Sequence, residues 1–193
     1  MAQYVALSDK VEVLGQTVLS IANGLGSMKE AGVKILADNG LINIQPDGWY
    51  SQQKWLNAFK QIAEKIGSGT LFLIGKSIPD NAVFPPEIDS IVKALSAIDV
   101  AYHMNHRIDG KVMFDPATGK KAEGIGHYSF MQESERKGIM KCNNPYPSDF
   151  DRGIIEQMAK RFAPSSSLVF VELDETSGSR KKGGETCTYR VRW

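Results

Sequence analysis

The sequence is poor in the residues that most often announce chemistry. It holds two cysteines and three histidines in 193 residues. Cys142 and Cys187 lie too far apart for the short, repeated ligand spacings of a structural zinc site. Charge is nearly balanced, at a formal net of +1, so no overall field draws the chain to nucleic acid or an anionic membrane. No apolar run approaches the roughly 18 residues that a membrane span needs. Met1 to Lys10 lack the basic stretch and apolar run of a secretory signal. The expectation is a cytoplasmic protein whose two thiols are free and buried. No Walker-type phosphate loop, nucleophile elbow or zincin motif is present.

What is present suits a globular fold. Hydrophobic residues make up 42% and charged residues 23%, which excludes a disordered chain. The length favours one domain, 1–193, able to bury roughly 70% of its unfolded surface. Within it, 1–107 reads as mainly helical and 108–193 as α+β. Val11, Leu14, Val18, Ile21 and Leu25 recur at helical steps, and a second helix runs from Ser27 to the Asn39-Gly40 stop. Trp49 or Tyr50 opens a third helix with Trp55, Phe59, Ile62 and Ile66 on its buried face. Thr70 to Ile78 is expected as a helix closed by Pro79, and Glu87 to His103 as another. Strands follow at 111–114, 124–131 and 138–142. Ser148-Asp149-Phe150-Asp151 reads as a capping-box-like start to a helix ending near Phe162. The last strands are 168–173 and 186–193. Helices first, then a sheet with a crossing helix, is an α+β layout.

Four groups of residues bear on chemistry. His103, His106 and His127 are three imidazoles suited to zinc or iron, His103 and His106 sharing a face if the helix continues. Their blander reading is two cations at a helix C-terminus and one ordinary pocket or core histidine. Cys142 and Cys187 read as buried thiols, or as partners of a histidine in a mixed metal site. Ser177 to Gly184, with Arg180, Lys181 and Lys182, reads first as a solvated turn and second as an anion nest. Asp149/Asp151 and Glu172/Asp174 read as helix-start and strand-end charges. Aromatic and methionine side chains supply core, and part of a pocket.

The C-terminal half resembles the 4-vinyl-reductase domain family, within the superfamily that also holds haem nitric-oxide-binding domains and TRAPP-type trafficking subunits. The residues that carry this are Cys142, Gly153, Glu172, Ser179 and Cys187-Thr188-Tyr189, in the family's order. Ser179 stands where the family has the first of two paired cysteines. Tyr146-x-Ser148 resembles the start of the Tyr-x-Ser-x-Arg haem-propionate motif, with Arg152 two places beyond the arginine position. The segment from Trp49 to Arg107 looks like the helical front of the same superfamily. The resemblance implies a helical N-terminal half packed on an antiparallel sheet with a crossing helix, of the NO-signalling and Golgi-transport ligand-binding kind. It implies a pocket between helices and sheet for a hydrophobic or tetrapyrrole-like molecule, with haem or zinc as candidate cofactors.

The expected function is a non-catalytic ligand-binding or sensory module. Trp55, Tyr102, His106, His127, Tyr128, Tyr146 and Phe150 are its candidate ligand-binding residues, and the loop Asn143 to Ser148 its moving part. Its expected partners are a small hydrophobic molecule, a signalling protein and a second copy of the chain. One alternative is an enzyme acting on a vinyl or tetrapyrrole substrate with His127 or Tyr128 as proton donor. The other is a haem or metal gas sensor using His103, His106 or His127; the candidate metal ligands are these three histidines with Cys142 and Cys187.

Overall fold

The computed structural model describes residues 3–193, apart from the side chain of Asn23. The chain opens with a strand. Val11-Glu12-Val13-Leu14 forms β1 (Val11–Leu14), with Val11 and Val13 fully buried and Glu12 and Leu14 half-buried. This corrects the single helix expected from Val11 to Leu25. Spacings of three and four from Val11 satisfy a helix, but the valine alternation satisfies a strand, and pairing decides. β1 lies between β2 (Trp49–Ser51) and β3 (His106–Ile108), antiparallel to both. The helix α1 (Gly15–Gly24) begins only after it. Its first N–H groups are satisfied by a loop instead of a side-chain cap: Gly15 donates to the Gly48 carbonyl at 2.7 Å and Gln16 to that of Pro46 at 2.8 Å.

The helix α2 (Lys29–Asp38) ends where Gly40, at φ +74°, provides the left-handed stop read from Asn39-Gly40. Trp49 and Tyr50 belong to β2 and not to the following helix. Ser51 stands at that helix's N-cap, accepting from the Lys54 N–H, so α3 runs Gln52–Lys65. The apolar segment 70–78 is helical, as expected, within α4 (Ser68–Asp80), and Pro79 sits in its last turn. Ser90 caps α5 (Ile91–Met104), so the start expected at Glu87 lies in the preceding loop.

β3 extends the first sheet to β4 (Lys111–Val112), giving the order β2-β1-β3-β4, and β5 (Phe114–Asp115) with β6 (Lys120–Lys121) makes a small hairpin. The second sheet has the order β7 (Tyr128–Ser134), β8 (Lys137–Cys142), β10 (Cys187–Arg192), β9 (Phe170–Leu173), and all its pairings are antiparallel. The crossing helix α6 (Ser148–Phe162) connects β8 to β9. Its start is not a capping box. Pro147 occupies the N-cap without a side-chain bond, and Asp151 turns inward. The whole is α+β, with one apolar core running from Val11 and Trp55 through Ile98 to Met140 and Val191.

Candidate functional site

A cavity of about 110 Å³ lies where α5, α4 and α6 meet β7 and the segment before α6. Trp55, Tyr102, His106, Tyr128, Tyr146 and Phe150, six of the seven expected ligand-contacting residues, line it together. Ile78, Phe84, Ile98, Ile154 and Met158 make the rest of its wall largely apolar. Thr17, Ala101 and Asn105 also line it, and sequence reasoning missed them because nothing local marks them. His127, the seventh, lies elsewhere.

The polar end of the cavity is a directed chain of hydrogen bonds. His106 Nδ1 lies 2.6 Å from the Tyr102 carbonyl oxygen, which can only accept, so Nδ1 carries the proton. Nε2 is then a bare acceptor, and the Tyr146 hydroxyl donates to it at 2.6 Å. The same hydroxyl accepts from Gln52 Nε2 at 3.1 Å. Burial pushes the His106 pKa down to about 4, so the ring is neutral near pH 7. Burial pushes both Tyr102 and Tyr146 well up, which makes these phenols poor acids. Trp55 Nε1 and Gln52 Oε1 are buried beside this chain without a hydrogen-bond partner among the described residues. The Trp55 ring meets Tyr146 edge-on at 5.2 Å, and Phe150 lies 5.3 Å from Tyr146 and 4.8 Å from Phe59.

Next to the cavity sits a buried ion pair that the sequence concealed. Arg180 and Asp151 side chains are both 0% exposed and bonded through Nη2 and Oδ2. The Tyr128 hydroxyl donates to Asp151 Oδ1 at 2.6 Å, so both carboxylate oxygens accept, as an ionised group requires. Arg180 also donates to Asn144, to its carbonyl and at 2.7 Å to Oδ1, and its Nε lies 3.4 Å from Cys187 Sγ. Burial opposes the Arg180 charge, but the Asp151 carboxylate outweighs it and raises its pKa. The run Arg180-Lys181-Lys182 is therefore a solvated turn at Lys181 and Lys182, as expected, but not at Arg180, which is buried. Lys181 pairs with Asp149 and Lys182 with Glu175, so each cation has a carboxylate. The loop Asn143 to Ser148, expected to move, is almost wholly buried and is held by Arg180 through Asn144.

The five expected metal ligands do not converge. Cys142 and Cys187 are cross-strand partners on β8 and β10, both buried free thiols, and burial pushes the Cys142 pKa up. His106 faces the cavity. α5 ends at Met104, so the helical spacing from His103 to His106 is not realised. His103 and His127 come together instead around Asp99, which the sequence reading passed over although it stands one helical turn before His103.

No protein-family model and no curated protein matches this chain. The fold has solved counterparts. An H-NOX protein from S. oneidensis in the Fe(II)NO ligation state superposes over 93% of this chain and 98% of its own, at a TM-score of 0.63 and 8% identity. An oxygen-binding H-NOX domain related to soluble guanylate cyclases aligns over 92% of this chain and 91% of its own, at 0.61 and 16%. An Fe(II) unliganded H-NOX mutant from K. algicida covers 93% and 95%, at 0.61 and 13%. The chain has the fold of these haem-NO-binding domains.

Proposed function

We propose that this chain is a sensory ligand-binding module that takes a small apolar molecule into the cavity behind His106 and reports its presence without catalysis. The observation that carries this is the cavity itself, largely apolar, with His106 Nε2 and the Tyr146 hydroxyl forming a polar end. Its size, about 110 Å³, suits a gas or a small aromatic. An engineered apolar cavity of roughly 150 Å³ takes up benzene or xenon. A ligand with one polar atom would compete for His106 Nε2 and release Tyr146, which begins the segment leading into α6. That segment is the readout, passed to a signalling protein or a second copy of the chain. An enzymatic reading has lost its expected proton donors: His127 is outside the cavity, and the Tyr128 hydroxyl is spent on Asp151 with its pKa raised by burial. The narrower likeness to 4-vinyl-reductase modules belongs to the same proposal and rests on Cys142, Gly153 and Cys187.

Haem is the second reading, and one observation favours it beyond the H-NOX neighbours. His106 has Nδ1–H on a backbone carbonyl, which leaves Nε2 unprotonated, and iron could take that nitrogen only in place of the Tyr146 hydroxyl that now donates to it. The donor fits; a cavity of about 110 Å³ does not fit the macrocycle. Phe150 stands at the arginine position of the propionate motif and is packed into the aromatic cluster. Haem would need Tyr146 and Phe150 to move aside, and His106 is the residue that would hold its iron.

Native mass spectrometry of the freshly purified protein, with an absorbance scan and a haemin titration of the same sample, separates the two. Small-molecule adducts with no His106-dependent Soret band support the first reading. A stoichiometric Soret band in wild type that is lost in His106→Phe supports haem and overturns the small-ligand assignment.

A further inference from the structure

Beside the cavity on α5 lies a second constellation, and we infer that Asp99, His103 and His127 form a binding site for a divalent transition-metal cation of the zinc class. One ligand atom from each of the three lies within 4.8 Å of the others, close enough for small side-chain rotations to bring all three onto one ion. Asp99 and His103, one turn apart on α5, share a face. His127 is delivered by the residues leading into β7, its ring centroid 4.9 Å from that of His103.

Asp99 and His103 are prepared in the way metal ligands are, and His127 would give up a proton on binding the ion. His103 Nδ1 lies 2.7 Å from the Asp99 backbone carbonyl, which fixes the proton on Nδ1 and leaves Nε2 as a bare acceptor. That Nε2 is fully buried and has no hydrogen-bond partner among the described residues. An unpartnered buried imidazole nitrogen costs stability unless something takes it up. The Tyr128 backbone N–H holds Asp99 Oδ1 at 2.9 Å, orienting the carboxylate. His127 stands between two carboxylates, with Nδ1 3.2 Å from Asp99 Oδ2 and Nε2 3.0 Å from Glu123 Oε2. Two imidazoles and one carboxylate are a borderline-soft set that suits zinc. Exposed Glu123 or water would complete the shell.

One cation already sits in the cluster. The Lys121 ammonium is paired with Asp99 Oδ2. Its side chain is 35% exposed on the short strand β6 and free to swing into solvent. The ion must displace it, so Lys121 competes with the metal for Asp99. This makes the site testable in both directions. None of its three residues lines the cavity, so it is a separate site from the one proposed above.

The experiment is a calorimetric titration of untagged, chelator-stripped protein with zinc chloride, repeated on four variants. The expected result is one equivalent bound per chain. Affinity should fall at least about tenfold in His127→Ala and in His103→Gln, stay unchanged in His106→Phe, and rise in Lys121→Ala. His127→Ala changes a partly exposed residue and keeps the test valid if the His103 variant fails to fold. No binding to wild type, or equal affinity in wild type and His127→Ala, overturns the site. Equal affinity in Lys121→Ala overturns Asp99 as a ligand.

Discussion

Gly75 of α4 and Gly153 of α6 face each other at the crossing of the two helices. A Cβ built on Gly75 would stand 3.1 Å from the Gly153 Cα and inside the contact distance of the Phe150 carbonyl oxygen. A Cβ on Gly153 would stand 3.0 Å from the Gly75 Cα and 2.9 Å from the Lys76 nitrogen, again against backbone. Backbone cannot rotate aside as a side chain can. Gly153→Ala should therefore destabilise by about 1–3 kcal/mol despite alanine's better helix propensity. Urea unfolding with an unchanged m-value checks it; a midpoint at or above wild type would show that the helices can separate.

The Asp151–Arg180 pair should behave as a buried unit. Removing one partner leaves an uncompensated charge, so Asp151→Leu or Arg180→Met should cost about 3–5 kcal/mol each. The double variant Asp151→Leu with Arg180→Met should lose much less than the sum, since no charge remains buried. A double-mutant cycle in urea reads this directly, and additive losses would contradict the pairing.

His106 sets a pH dependence with a definite sign. Its folded pKa, about 4, lies below the ordinary 6.5, so the unfolded chain binds the proton more readily. The stabilising contribution is complete above 6.5 and is lost as pH falls from 6.5 toward 4. Two and a half pKa units correspond to roughly 3 kcal/mol. His106→Phe should flatten the stability profile over that window, while an unchanged slope would assign it to other groups.

Much of the fold was legible because local signals agreed. Pro79 closes α4, Asn39-Gly40 closes α2, and Phe150, Ile154, Ile155 and Met158 mark the buried face of α6. Candidate cavity residues were legible for a simpler reason: large aromatics near a pocket tend to line it. What failed needed long-range pairing. Val11 to Leu14 satisfies helical and strand spacing equally, and only β2 and β3 decide between them. Arg180 lies in a basic run and Asp151 near a helix start, each with a local explanation sufficient in itself. Their meeting across 29 positions has no local signature. Asp99 has no signature either: the helix ends at Met104, so the spacing of three from His103 to His106 is not helical, and the spacing of four from Asp99 to His103 is the one that brings ligand atoms together.

Closing the cavity should separate its role in binding from its role in packing. Ala101 lines it from α5, and Ala101→Phe projects a ring into the space while leaving His106, Tyr146 and the buried ion pair in place. The most direct test of the cavity reading is a calorimetric titration of wild type and Ala101→Phe with benzene as the probe. Saturable binding of one equivalent to wild type, lost in a folded Ala101→Phe, is the predicted result. No saturable binding to wild type, or equal binding to both, would contradict it.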